Sequence, residues 1–221
     1  MNLTHSWRFF RRYLVEPRVV GALTPSGRAL ALALCEPYRN CHRPARILEV
    51  GAGTGGITRH LAAMLKRGDR LDICEIQREF ADILERDILE HPQIAPAVAE
   101  GRIRVLCQPV QQIAEEKRYD FVISGLPFTA FNLEDVEEIF EVIRRCLRPG
   151  GVFSYFEYVA MRRTSALLSV GRGRDRYRSV SAFLTQRIRE HQFDRRTVLQ
   201  NLPPAHARHL RFDATPARAT A

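Results

Sequence analysis

Two acids and a run of glycines carry the first readable chemistry in this 221-residue chain. Ile47-Leu48-Glu49-Val50, an apolar run interrupted by one carboxylate, leads into Gly51-Ala52-Gly53-Thr54-Gly55-Gly56. Glycine has no Cβ, so a turn made of it can take positive φ and let a ligand lie against the main chain. Gly51, Gly53 and Gly56 satisfy G-x-G-x-x-G, the dinucleotide fingerprint. Glu49 opposes that reading: a carboxylate two residues before the first glycine repels a pyrophosphate drawn to the start of the following helix. A ligand bearing an ammonium or sulfonium would welcome it. Leu71-Asp72-Ile73-Cys74-Glu75 then reads as a second strand ending in an acid, about 20 residues past the glycines, as ribose binding requires.

A second group of residues suits an acceptor. Ser124-Gly125-Leu126-Pro127-Phe128 follows a strand at Tyr119–Ile123 and so falls at the carboxyl end of a sheet, where ligands bind. Phe128, Tyr155, Tyr158 and Tyr177 could border a cationic ligand group, since aromatic faces attract quaternary ammonium by roughly 0.5–2 kcal/mol each. Core packing is the alternative for each of them. Glu157 could accept a proton or hold a cation, or be structural. Tyr13, Arg18, Arg162 and Arg178 are candidates for a phosphodiester, which the arginine fork suits.

These groups need elements to position them. Apolar spacing predicts helices over residues 26–36, 57–65, 77–90 and 133–147, with a break between Pro92 and Pro96. Strands are expected at 47–50, 71–75, 103–107, 119–123 and, after the turn Arg148-Pro149-Gly150-Gly151, at 152–158. The alternation is that of an α/β fold with a parallel sheet. Twelve arginines fall between residues 162 and 211; Gly171 and Gly173 predict a mobile basic loop ahead of a helix at about 179–191. Residues 197–199 and 209–212 should close the sheet as an antiparallel hairpin, and residues 214–221 form a disordered tail. Near the N-terminus, Leu3, Trp7, Phe10 and Leu14 make one apolar stripe with Arg8 and Arg11 beside it, the pattern of an interfacial helix or of an ordinary packed one.

The length suits one domain with a sizeable core. Net charge is +9, and all but Lys66 and Lys117 of the basic side chains are arginine, which implies an anionic partner. There is no apolar run long enough to span a membrane and no expected signal peptide. Five scattered cysteines (35, 41, 74, 107, 146) read as reduced thiols, with Cys74 and Cys107 buried in strands.

The spacing Glu49-x-Gly51-x-Gly53-x-Gly55 resembles motif I of the class I S-adenosylmethionine (SAM) methyltransferases, and Leu147-x-Pro149-Gly150-Gly151 also recurs in that family. The resemblance implies a Rossmann-like fold: a mostly parallel seven-stranded sheet, helices on both faces and an N-terminal amphipathic helix. It implies a lid or membrane-interface segment at 1–45 and a methyltransferase domain at 46–213. It also implies a site for SAM, or its product S-adenosylhomocysteine (SAH), formed by Glu49, Gly51, Gly53, Thr54, Gly55, Glu75, Ile76, Pro109, Val110, Ser124, Gly125 and Leu126. Glu49 would face the amino-acid end, and Glu75 the ribose. Many members carry an acid after the third strand for the adenine amine; here Gln108-Pro109-Val110 stands instead.

The order Leu126-Pro127-Phe128 resembles ribosomal RNA adenine dimethylases, but Gly125 replaces their side-chain amide. Together with Arg11-Arg12-Tyr13-Leu14, Val20-Gly21-Ala22, Thr24-Pro25-Ser26, Gly125-to-Phe131 and Asn201-to-Ala205, the motifs are similar to the soluble bacterial phosphatidylethanolamine N-methyltransferases. That likeness implies stepwise methylation of phosphatidylethanolamine to phosphatidylcholine, with Gly125, Phe128, Tyr155 and Glu157 at the reacting amine. The expected partners are the lipid and an anionic membrane surface, without nucleic acid or an obligate protein partner. The expected location is cytoplasmic, peripheral to the inner membrane. RNA adenine methylation and a non-enzymatic SAM-sensing module are the alternatives.

Overall fold

The computed structural model describes residues 25–159 and 172–212. The N-terminal stripe, Tyr13, Arg18, Arg162 and the tail lie outside the described residues. In chain order the elements are α1 (Pro25–Leu34), α2 (Glu36–Arg39), β1 (Arg46–Val50), α3 (Thr58–Ala63), β2 (Arg70–Cys74), α4 (Arg78–Leu84, continued by a wider turn over Glu85–Leu89) and α5 (Ala95–Ala99). They continue with β3 (Ile103–Leu106), β4 (Tyr119–Ser124), α6 (Leu133–Cys146), β5 (Leu147–Tyr158), α7 (Arg172–His191), β6 (Gln192–Val198) and β7 (Ala205–Arg211).

The seven strands form one sheet in the order β3-β2-β1-β4-β5-β7-β6. The first five run parallel, while β7 is antiparallel to both β5 and β6, so the expected closing hairpin is present and longer than anticipated. Apolar residues on alternate sides of the strands feed two cores. Val50, Val122, Phe153 and Tyr155 pack with α6 and α7 on one face; Ile47, Ile73 and Ile123 pack with α1 and α4 on the other. Strands buried on both faces read as continuous apolar runs, which is why β1 and β4 were legible. In α6, Val136, Ile139, Phe140 and Ile143 supply the buried stripe, and Asn132 caps its start by accepting from Asp135 N–H at 2.8 Å.

Several boundaries differ from expectation. Helix α7 begins at Arg172, so the basic stretch around Tyr177 and Arg178 is helical rather than loop: Tyr177, Val180 and Leu184 bury at helical spacing, and Asp175 sits favourably in the first turn. The segment after Pro92 contains α5, with Pro96 in its first turn, where a missing N–H costs nothing. Pro37 likewise falls in the first turn of α2. Cys107 lies past the end of β3 and is exposed, correcting the buried thiol expected there; all five cysteines are unbridged.

Candidate active site

At the carboxyl end of the parallel strands, the glycine turn joins β1 to α3. Gly51, Gly53 and Gly55 all have positive φ (71°, 55° and 85°). The turn is packed as well as bent. A Cβ on Gly51 would collide with Leu126, and one on Gly55 with Ile88 and Leu84. Across from it, Gly125 N–H donates to Val50 O at 2.9 Å, and a Cβ on Gly125 would stand 2.5 Å from Gly51 O. The two loops touch backbone to backbone, so a side-chain amide at position 125 has no room. Ser124 Oγ accepts from Leu126 N–H at 3.1 Å and holds that turn shut.

Beside these loops lies a mostly apolar cleft. Gly51, Ile76, Pro109, Val110 and Leu126 line it; Glu49, Gly53, Thr54, Gly55, Glu75, Ser124 and Gly125 do not. Asp135 lines it too, from an acidic stretch of α6 whose sequence resembles an ordinary solvated helix face. Asp135 Oδ2 is buried and has no hydrogen-bond partner among the described residues. Only the fold, by bringing the start of α6 against Val110, reveals it.

Glu75 is buried at the end of β2 and accepts from Gly53 N–H at 2.8 Å and Gln77 N–H at 2.9 Å. Burial pushes its carboxyl above the usual range, and those N–H groups act in the opposite sense. Glu49 is different. The other buried acids of the described residues (Asp69, Asp72, Glu75, Asp120 and Glu157) all accept a hydrogen bond, whereas both Glu49 oxygens are buried without a partner. Thr58 lies beside it, although its hydroxyl does not reach hydrogen-bond geometry. Burial pushes the Glu49 carboxyl up to about 8, Glu75 adds to the rise, and Thr58 opposes it. A carboxyl in that state is satisfied by an arriving cation.

The acceptor candidates divide. Phe128 and Tyr155 meet edge to face, ring centroids 5.5 Å apart, and interlock with Phe140 and Phe153, on which Tyr155 stacks; both are fully buried. Tyr177 is buried on α7, which packs against the turn holding Phe128. Tyr158 is not with them: it belongs to the opposite face of the sheet, against Phe156, because successive strand residues alternate sides. Arg178 is exposed on α7. Glu157 shares the face of Tyr155 and forms a buried ion pair with Arg208 of β7, which also donates to Gln192 Oε1 at 2.7 Å. Thr54 is half-buried in the glycine turn.

The arrangement is compatible with SAM: a glycine turn at the carboxyl end of β1, a buried acid after β2, an apolar cleft beside them and a buried carboxyl without a partner. Residues 47–151 match the methyltransferase domain family. The chain is 30% identical over 148 residues to the ornithine lipid N-methyltransferase of Singulisphaera acidiphila, covering 66% of this chain and 74% of that protein. The chain belongs to the SAM-dependent methyltransferases. Two solved structures share the fold of this methyltransferase. One is the Burkholderia thailandensis 1,6-didemethyltoxoflavin-N1-methyltransferase with SAH bound: TM-score 0.61, 20% identity, 95% of this chain and 87% of that one. The other is the Streptomyces achromogenes O-methyltransferase TomG with SAM: TM-score 0.60, 17% identity, 95% of this chain and 91% of that one. No helix among the described residues is long and apolar enough to cross a membrane.

Proposed function

We propose that this methyltransferase N-methylates the amine headgroup of a membrane lipid, converting phosphatidylethanolamine stepwise through its mono- and dimethyl forms to phosphatidylcholine. The observation that carries the reading is the contact between Gly125 and Gly51, considered beside the likeness to a lipid N-methyltransferase. With no space for a side-chain amide, the acceptor turn offers main chain only. A planar nucleobase needs an in-plane side-chain acceptor to fix its exocyclic amine; a flexible alkylamine does not.

SAM, when bound, supplies a methyl group already activated on a positively charged sulfur. The chain's own task is then alignment and exclusion of water. Glu49 receives the ammonium of the amino-acid end, Glu75 the ribose hydroxyls, and Asp135 the adenine amine, taking the part left open at Gln108. The acceptor amine must lose its proton first. With an ordinary pKa near 10, on the order of one molecule in a thousand is neutral at pH 7. Burial and a neighbouring positive charge both lower that pKa, so no strong base is required. Glu157, held by Arg208, serves better as a fixed negative charge than as a proton acceptor. The arginine-rich surface and the stripe of Leu3, Trp7, Phe10 and Leu14 would hold the enzyme at an anionic bilayer; Trp7→Glu with Phe10→Glu should abolish pelleting with anionic vesicles.

The test is methyl transfer from labelled SAM to vesicles containing phosphatidylethanolamine, to vesicles containing ornithine lipid, and to deproteinised RNA. Label in mono-, di- and trimethylated phosphatidylethanolamine supports the proposal. Label confined to ornithine lipid would reassign the headgroup, and label confined to RNA would defeat the lipid reading.

A further inference from the structure

Away from the cofactor cleft, near the antiparallel edge of the sheet, three strands place a row of polar residues on one face. Ser154 of β5, His209 of β7 and Asp194 of β6 are cross-strand partners. Glu36, the first residue of α2, completes the group. One carboxylate oxygen from Glu36, one from Asp194 and a ring nitrogen of His209 all lie within 4.8 Å of one another. His209 is fully buried, and its Nδ1 is engaged with Ser154 Oγ at 2.8 Å. Its Nε2 is buried with no hydrogen-bond partner among the described residues. Native interiors rarely leave such an atom alone.

We propose that His209 Nε2, Glu36 and Asp194 form a binding site for a divalent transition-metal ion of the zinc or cobalt class. One imidazole and two carboxylates are a donor set for such ions, whereas calcium and magnesium take oxygen alone. Ser154 supplies the outer support: with Nδ1–H donating to Ser154 Oγ, the Nε2 lone pair is left for the ion, and the ring is held in plane. Tetrahedral ligands about 2 Å from zinc stand roughly 3.3 Å apart, so the carboxylates must close in slightly. Both can, since the Glu36 and Asp194 side chains are 29% and 39% exposed. That exposure also leaves an open position for water.

A resident competitor sets the sign of the test. Arg196 Nε lies 2.9 Å from Glu36 Oε2 and 3.4 Å from Asp194 Oδ2, and its side chain is more than half exposed. The ion must displace it toward solvent. Binding would fasten the α1–α2 corner to the C-terminal hairpin. The metal site itself is three strands from Glu49 along the same row, roughly 14 Å at sheet spacing, and separate from the cofactor cleft.

The experiment is calorimetric titration of the tag-free, chelator-treated full chain with Zn²⁺, and with Co²⁺ followed by its visible absorption, alongside thermal unfolding. One ion per chain and a raised Tm are expected. Asp194→Asn and His209→Asn should each weaken binding at least tenfold, while Arg196→Ala should tighten it by removing the competing cation. SAH affinity measured in parallel should survive these substitutions, which separates failure of this site from failure of the cofactor site. Should His209→Asn fail to fold, Asp194→Asn and Arg196→Ala still decide the matter. The proposal is overturned by absence of stoichiometric binding, by Asp194→Asn and Arg196→Ala leaving affinity unchanged, or by binding lost in Cys41→Ser instead.

Discussion

Gly125 and Gly51 face each other so closely that a single added carbon on Gly125 would stand 2.5 Å from the Gly51 carbonyl oxygen. That oxygen belongs to backbone, which cannot swing aside as a side chain can. Gly125→Ala is therefore expected to lower stability by about 1–3 kcal/mol and to reduce methyl transfer disproportionately, because it forces the donor and acceptor loops apart. Gly53→Ala meets nothing within 4 Å and carries only the strain of its positive φ, about 1–2 kcal/mol. Thermal unfolding and initial rates on both variants check this. Equal activity losses in the two would remove the special role of the Gly51–Gly125 contact.

Asp135 should read the adenine amine. Asp135→Ala is expected to weaken SAH binding about tenfold, the scale of one hydrogen bond to a charged group. The same variant should bind the inosyl analogue, whose ring carries a carbonyl in place of the amine, as well as the parent enzyme does. Competition binding with both ligands gives the answer. A parent enzyme that already fails to distinguish them would show that Asp135 does not face the amine.

Glu157 and Arg208 predict a stability effect in place of a pH effect. Removing one member of a buried pair strands the other, so Arg208→Leu should cost about 3–5 kcal/mol. Glu157→Gln combined with Arg208→Gln should recover part of that loss. If Glu157 is the proton acceptor instead, Glu157→Gln will lower kcat by about 10²–10⁴ and remove a limb of the pH–rate profile.

The sheet was readable from residues because its parallel strands are buried on both faces and punctuated by glycine and proline. The glycine turn was equally plain, and Glu49 and Glu75 stand out by their spacing from it. What escaped depended on contacts distant in sequence. Asp135 enters the cleft only when α6 docks against Val110; Tyr158 leaves the aromatic group because strand alternation turns it to the other face; Arg172 to Arg178 become helical because Tyr177 and Val180 find a core. Glu157 could not be read as half of an ion pair until β7 brought Arg208 beside it.

The raised carboxyl of Glu49 carries a stability signature. The folded chain holds this proton up to about pH 8, whereas the unfolded chain releases it near the ordinary value of 4.5. Between those limits the folded state binds more protons, so stability falls as pH rises, by on the order of a few kcal/mol across the window. Glu49→Gln should flatten that slope and unfold at a higher temperature than the parent enzyme at pH 8. Denaturant unfolding at pH 5, 6.5 and 8 measures it; parallel slopes in the two proteins would place the titration elsewhere.

Calorimetry of SAH binding in buffers of different ionisation enthalpy bears most directly on the cationic-ligand site. If the ammonium of the amino-acid end meets Glu49, binding at pH 7 releases close to one proton, and Glu49→Gln loses both that proton and most of the affinity. Tight SAH binding with no proton release, unchanged in Glu49→Gln, would contradict the account.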